Sequence, residues 1–216
     1  MAVFPAIVLV AMITLALAPL PVWAVVPAEI ASLALLTWVL AFFRDPKRSV
    51  PTDRNLLLAP ADGKITDIET VNENQFIGEP ALRIGIFLSI FDAHINRAPC
   101  NVTVQSVKYK KGAHRNAMSP YSGRVNESNE LELIRTDDPP KKLVVRQISG
   151  AIARRIVCSA NAGQKLSGGE RFGMIKFGSR TELYVPANKN CKCMVKVGDK
   201  VKAGLTALAK YETIDG

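Results

Sequence analysis

Charge is almost missing from the first 43 of the 216 residues: there is no Lys or Arg and only one acid, Glu29. A stretch without charge does not form the surface of a water-soluble domain, so this part of the chain is set apart from the rest. Histidine is scarce, limited to His94 and His114. Cysteine is sparse, and Cys100, Cys158, Cys191 and Cys193 lack the spacing of a disulfide framework. Cys191-Lys192-Cys193 is closer than the pairs that usually hold zinc, so no metal is expected and the thiols read as reduced. No nucleic-acid-binding motif appears, and the few aromatic residues do not interleave with the basic ones, which sets nucleic acid aside as a partner. After residue 44 no long stretch has helical period, which excludes a helix bundle. Only a short helix near Ala151–Cys158 is expected there.

What is present is a strong division. Residues 44–216 carry all 28 basic residues and 18 of the 19 acids, a net charge of +10. Such a balance favours a polyanionic partner, and the apolar start makes an anionic bilayer the natural one. Two apolar segments fill the start, roughly Phe4–Leu20 and Ile30–Phe43, with Pro19, Pro21 and Pro27 between them. Each is shorter than the ~20 residues that cross a bilayer as a helix, so the reading is a membrane-associated helical hairpin over 1–43 that either spans with tilt or lies in one leaflet. A cleaved signal peptide needs a basic leading region, and this start has none. Arg44, Lys47 and Arg48 follow directly and hold the remainder at the cytoplasmic face of a cell membrane.

Residues 44–216 read as one mainly β domain of α+β class. Strand-length runs occur at 82–90, 102–107, 131–134 and 142–148, several with period two. Turn residues bound them, among them Gly63, Asn72–Asn74, Gly78, Gly112, Pro139-Pro140 and Gly168-Gly169. The tail Val195–Ala209 resembles the hammerhead turns of biotinyl and lipoyl carrier domains, with Gly198-Asp199 as the tight turn. It has no acceptor lysine motif, so the likeness is one of fold.

Separated motifs then line up in order: Pro60-Ala61-Asp62-Gly63, Phe91-Asp92-Ala93-His94-Ile95-Asn96-Arg97-Ala98-Pro99, Asn126-Glu127-Ser128-Asn129, Gln147-Ile148-Ser149-Gly150-Ala151-Ile152-Ala153-Arg154-Arg155-Ile156, and Lys176-Phe177-Gly178-Ser179. Together they resemble the short, type A, bacterial and archaeal form of the phosphatidylserine decarboxylase proenzyme, over roughly residues 45–210. Two positions depart from the pattern. Arg97 stands where longer members have a second histidine, and Ser128 where an arginine is usual, which weakens a phosphate-binding role for that loop.

The resemblance implies self-cleavage between Gly178 and Ser179 into a beta chain, 1–178, and an alpha chain, 179–216, that stay together as a heterodimer, with a higher oligomer possible. It makes Ser179 the precursor of a covalent pyruvoyl cofactor and the Schiff-base site. It also implies decarboxylation of phosphatidylserine to phosphatidylethanolamine, with release of CO2. The chemistry is consistent with the residues. A serine hydroxyl attacks the preceding carbonyl, glycine leaves that carbonyl unobstructed, and elimination from the resulting ester is far easier than from an amide. His94 and Asp62 are expected to form a Ser-His-Asp-like set with Ser179, a base activating the hydroxyl and a carboxylate orienting the base. Asp62 also reads as a plain turn residue and His94 as a core histidine. Arg154, Arg155 and Arg97 are candidates for an anionic headgroup, or else solvated cations, and His114 falls in a basic loop. Two other functions remain open: the same chemistry on an archaetidylserine-type lipid, and a non-enzymatic membrane-anchored hammerhead carrier or assembly module.

Overall fold

The computed structural model describes residues 3–16, 21–119, 121–138, 140–151, 155–175, 179–188 and 190–212. The chain divides into two units, Met1–Asp45 and Pro46–Gly216. The first holds helices α1 (Val3–Ala16) and α2 (Val22–Phe42), which touch one another. Pro21 caps α2 in an extended conformation, φ −66° and ψ 140°, the geometry that its ring fixes in advance. At 21 residues and about 1.5 Å per residue, α2 spans about 31 Å, and it is long and apolar enough to cross a membrane. The expectation of a shorter segment beginning at Ile30 therefore fails. Pro27 lies inside the helix, in its second turn, where it removes one hydrogen bond without ending the apolar run.

Among the described residues, the regular structure of the second unit is β apart from one short helix. In chain order it contains β1 (Leu56–Leu58), β2 (Gly63–Glu73), β3 (Glu79–Leu88), β4 (Ile95–Arg97), β5 (Val102–Lys110), α3 (Ser122–Val125), β6 (Ser128–Arg135) and β7 (Lys142–Ile148). Then come β8 (Ile156–Cys158), β9 (Lys165–Leu166), β10 (Arg171–Ile175), β11 (Ser179–Pro186), β12 (Cys191–Cys193), β13 (Lys200–Val201) and β14 (Ala207–Tyr211). Among the described residues the main sheet has the order β13-β2-β3-β11-β7-β6-β5-β9, with smaller sheets β1-β14-β12 and β4-β10-β8. One face of the main sheet carries Ile65, Ile84, Ile86, Leu131, Leu133, Val145 and Leu183, all fully buried. Leu57, Phe172, Leu208 and Tyr211 from the two small sheets join the same core.

The expected strands all form, and the mainly β reading holds. One local expectation is corrected: Ile156–Cys158 is a strand paired with β10 rather than part of a helix, as its β-branched pair favours, while 152–154 lie outside the described residues. In the tail, Gly198 has φ +100°. Asp199 accepts from the Lys196 N–H at 3.0 Å, so Gly198-Asp199 does form a tight turn, laid against β2 through Gly198 N–H to the Ile65 carbonyl.

Candidate active site

Strand β11 is buried along its whole length because β3 flanks it on one side and β7 on the other. Side chains alternate across a strand, so β11 presents Ser179, Thr181 and Leu183 to one face and Arg180, Glu182 and Tyr184 to the opposite one.

The first face holds a ladder of neutral polar groups. Asn129 donates to Gln147 Oε1 at 3.0 Å, Gln147 donates to Asn96 Oδ1 at 2.9 Å, and Asn96 donates to Thr181 Oγ1 at 3.0 Å. Glu127, Ser149 and Ser179 lie one step further along the same register, since Asn129 pairs with Gln147 and Gln147 with Thr181. The Ser149 N–H donates to the Glu127 carbonyl at 2.9 Å, so the pairing does continue to this step. Ser179 is fully buried, and its hydroxyl makes no hydrogen bond with any described residue. Leaving such a group unsatisfied costs about 1–3 kcal/mol, a common signature of a reactive position. Gly178, on the other side of the bond, lies outside the described residues.

His94 is fully buried. Its backbone carbonyl accepts from the Ile175 N–H at 3.3 Å, which places it beside the strand leading to Ser179. Nδ1 lies 2.8 Å from the Asp92 carbonyl. A carbonyl only accepts, so the neutral ring carries its proton on Nδ1 and its lone pair on Nε2. Asp92 is itself fixed, its carboxylate accepting from both the N–H and the hydroxyl of Ser89 at 2.8 Å. The group against His94 Nδ1 is thus a backbone carbonyl and not the Asp62 carboxylate. Asp62 sits elsewhere: Oδ2 accepts from Arg48 Nη2 at 2.7 Å and Oδ1 from the Ala203 N–H at 2.8 Å, and it makes no hydrogen bond with His94.

The three candidate headgroup arginines do not come together as a described group. Arg97 donates to the carbonyls of Gly169 and Pro46, at 2.8 and 3.2 Å. Arg155 is exposed, and Arg154 lies outside the described residues. The cysteines form no disulfide; burial pushes the Cys100 thiol up to about 12 and Cys191 to about 11.

The opposite face carries ions, which sequence reasoning missed. The Arg180 guanidinium is fully buried and donates to both oxygens of Asp67 at 2.6 and 2.7 Å, to Glu182 at 2.8 Å and to Thr66 at 2.6 Å. Burial alone would lower its pKa; the Glu182 and Asp67 charges outweigh that and raise it. Gly85 makes the space, since a Cβ there would stand 1.9 Å from Arg180 Nη2. Tyr184 donates to Glu182 at 2.6 Å, Arg146 donates to Tyr184 at 3.0 Å, and Arg146 also pairs with Glu130. The only hint in the sequence is the placing of Arg180 and Glu182 two apart at the start of a strand-length run.

A family model described as phosphatidylserine decarboxylase matches residues 35–209. A protein of Rhodopirellula baltica is 39% identical over 206 residues, covering 95% of this chain and 85% of its own length. One of Carboxydothermus hydrogenoformans is 39% identical over 178 residues, 82% of each chain. One of Ralstonia nicotianae is 42% identical over 178 residues, 82% of this chain and 80% of its own. All three are named phosphatidylserine decarboxylase proenzyme. The names of these relatives are those of carboxy-lyases, and the chain is an enzyme of that class. It belongs to the phosphatidylserine decarboxylase family, which removes the non-enzymatic carrier from consideration.

Proposed function

We propose that this protein decarboxylates phosphatidylserine to phosphatidylethanolamine, after cutting itself between Gly178 and Ser179 and converting Ser179 to a pyruvoyl group. The observation that carries the reading is the buried Ser179 hydroxyl, which makes no hydrogen bond with a described residue. The group fits: residue 179 is fully buried at the head of β11, between β3 and β7. Ser179 Oγ attacks the Gly178 carbonyl carbon, and the peptide link becomes an ester. Elimination then breaks the Cβ–O bond, leaves a carboxylate on Gly178 and requires loss of the Cα proton of residue 179. Water finally replaces the nitrogen, which departs as ammonia. The resulting carbonyl supplies an electron sink for loss of CO2 from an amino-acid headgroup.

His94 is the proton-transfer group we assign to residue 179, with Nε2 as its basic nitrogen. Once the hydroxyl is consumed, the same imidazole is available to return a proton to the substrate carbon. Asp62 enters this reading as part of the surrounding structure through Arg48, and an exposed Arg155 suits an anionic headgroup at the surface. The two chains remain together because β11, β13 and β14 of the smaller one pair with β3, β7, β2 and β1 of the larger.

The reading has a direct test: wild type and Ser179→Ala are compared on a denaturing gel and assayed for CO2 release from phosphatidylserine vesicles. Wild type gives two fragments and activity; the variant gives one uncut, inactive chain. An active wild type of full length would overturn the reading. Membrane attachment through α2, with Arg44, Lys47 and Arg48 on the cytoplasmic side, belongs to the same proposal. Deleting residues 1–43 moves the protein to the soluble fraction and leaves cleavage intact, whereas high salt does not release the full-length form, because apolar burial is not screened by ions.

A further inference from the structure

His114 belongs to no motif of the decarboxylation machinery described above, yet the fold places it at the Ser179 step of the ladder. Its Nδ1 lies 3.1 Å from Ser149 Oγ. Ser149 is the residue opposite Ser179 when the β7–β11 register, Arg180 with Ile148 and Thr181 with Gln147, is carried one step further. Residues opposite one another in an antiparallel pair share a face, with Cβ atoms about 4.5–5.5 Å apart, and both serines are fully buried. The loop bearing His114 is held on both sides. The Ala113 N–H donates to the Val125 carbonyl at 2.8 Å, and the Ala113 carbonyl accepts from the Glu127 N–H at 2.9 Å. The Arg115 N–H donates to Asn126 Oδ1 at 3.0 Å. Asn126 Nδ2 in turn donates to the carbonyls of Arg115 and Ser149, at 2.8 and 2.7 Å. On the far side of the ring, the Glu127 carboxylate lies 3.7 Å from Nε2. Its negative charge favours the proton on Nε2 and leaves the lone pair of Nδ1 facing Ser149.

We propose that Ser149 and His114 form a proton relay for the self-cleavage of Ser179. The inference rests on the self-cleavage reading and assigns a further step within it. The Ser179 hydroxyl, unbonded to any described residue in the structure, must first turn about its Cα–Cβ bond onto Ser149 Oγ; as Ser179 Oγ then attacks the Gly178 carbonyl, its proton passes to Ser149 Oγ, and the Ser149 proton passes to His114 Nδ1. The electron pair left on Ser179 Oγ forms the new C–O bond while the C–N bond breaks. The released nitrogen of residue 179 takes one proton back along the same path. The step is an isomerisation with no net gain or loss of atoms, and the Glu127 carboxylate stabilises the imidazolium while it exists. His94 is then left for the Cα proton that the elimination removes. His114 acts through Ser149 and is a positioning and proton-holding residue rather than a catalytic one.

The test follows cleavage of freshly made full-length chain over time on a denaturing gel. Ser149→Ala and His114→Ala are expected to slow cleavage about 100-fold, in the range of a positioned proton-transfer group. The double variant is expected to be no slower than either single one. His114→Asn retains a hydrogen-bonding atom near the Nδ1 position but cannot hold a proton, so it is expected to melt as wild type does and still cut slowly. Added imidazole is expected to speed His114→Ala, whose site is one-third exposed, and to leave wild type unchanged. Wild-type cutting rates in both alanine variants, losses that multiply in the double variant, or normal cutting by His114→Asn would each overturn the relay. Failure of the underlying reading looks different: wild type itself stays uncut.

Discussion

The two faces of β11 are built from opposite kinds of polarity. On one, Asn129, Gln147, Asn96 and Thr181 exchange neutral hydrogen bonds and lead to a serine whose hydroxyl has no described partner. On the other, Arg180, Asp67, Glu182, Tyr184, Arg146 and Glu130 form an ion network. Residues 179 and 180 are adjacent in the chain, yet one is left unsatisfied and the other saturated. The ions hold the strand, since a buried arginine with four acceptor contacts does not move without losing them. On the function proposed above, the chemistry belongs to the face that carries Ser179. Under the proposed cleavage this division would matter more, because Arg180 would become the second residue of the smaller chain and its contacts with Asp67 would reach into the larger one.

The comparison is broken most severely from the ionic face. Arg180→Met leaves Asp67 and Glu182 buried without their main partner and is expected to cost about 3–5 kcal/mol, read as a drop in denaturant midpoint. Arg180→Lys is expected to recover only part, because an ammonium does not reproduce the bidentate contact with Asp67. Equal stability of Arg180→Met and wild type would show that the network does not hold the strand. On the neutral face, Asn96→Ala leaves Gln147 and Thr181 short of a partner and is expected to cost about 1–3 kcal/mol. Its cleavage is also expected to slow, because the ladder positions the Ser179 step. A variant as unstable as this that still cuts at the wild-type rate would separate the ladder from the site.

Acid sharpens the contrast. Burial alone would raise the Glu132 pKa, but hydrogen bonds from Lys108 and Ser106 outweigh it, so the folded value lies below the ordinary 4.5. Its contribution is fully present above the unfolded pKa and is lost as pH falls through the folded value. Stability measured below about pH 4.5 should therefore decline less steeply in Glu132→Gln than in wild type. Identical slopes would show that the contacts of Glu132 with Lys108 and Ser106 add nothing to stability. The smallest effect concerns thiols. With a pKa of about 12 and a buried side chain, Cys100 should resist alkylation of the native protein at pH 8, while the half-buried Cys193 reacts sooner; rapid labelling of Cys100 would contradict its placement.

Much of this was legible in the residues. Lys142–Ile148, a short run of strand length with an apolar, β-branched centre, forms β7 over that same span. The order of short motifs ending in Gly178-Ser179 pointed to the family. What was hidden depends on pairing between distant strands. Ser149 and Ser179 stand 30 residues apart and meet only through register, and Arg180 finds Asp67 more than a hundred residues earlier through β3. Asp62 is the right residue type in a family motif for an orienting carboxylate, but sequence does not show that Arg48 and Ala203 engage both its oxygens. Pro27 suggests an interruption because proline usually ends helices, a rule that weakens near a helix start in an apolar run.

Intact mass spectrometry of the purified full-length protein tests the central claim most directly. The account predicts two chains and no precursor: one ending at Gly178, the other beginning at residue 179 and lighter by one ammonia than a fragment starting with serine. A single full-length mass from a preparation that releases CO2 from phosphatidylserine would contradict it.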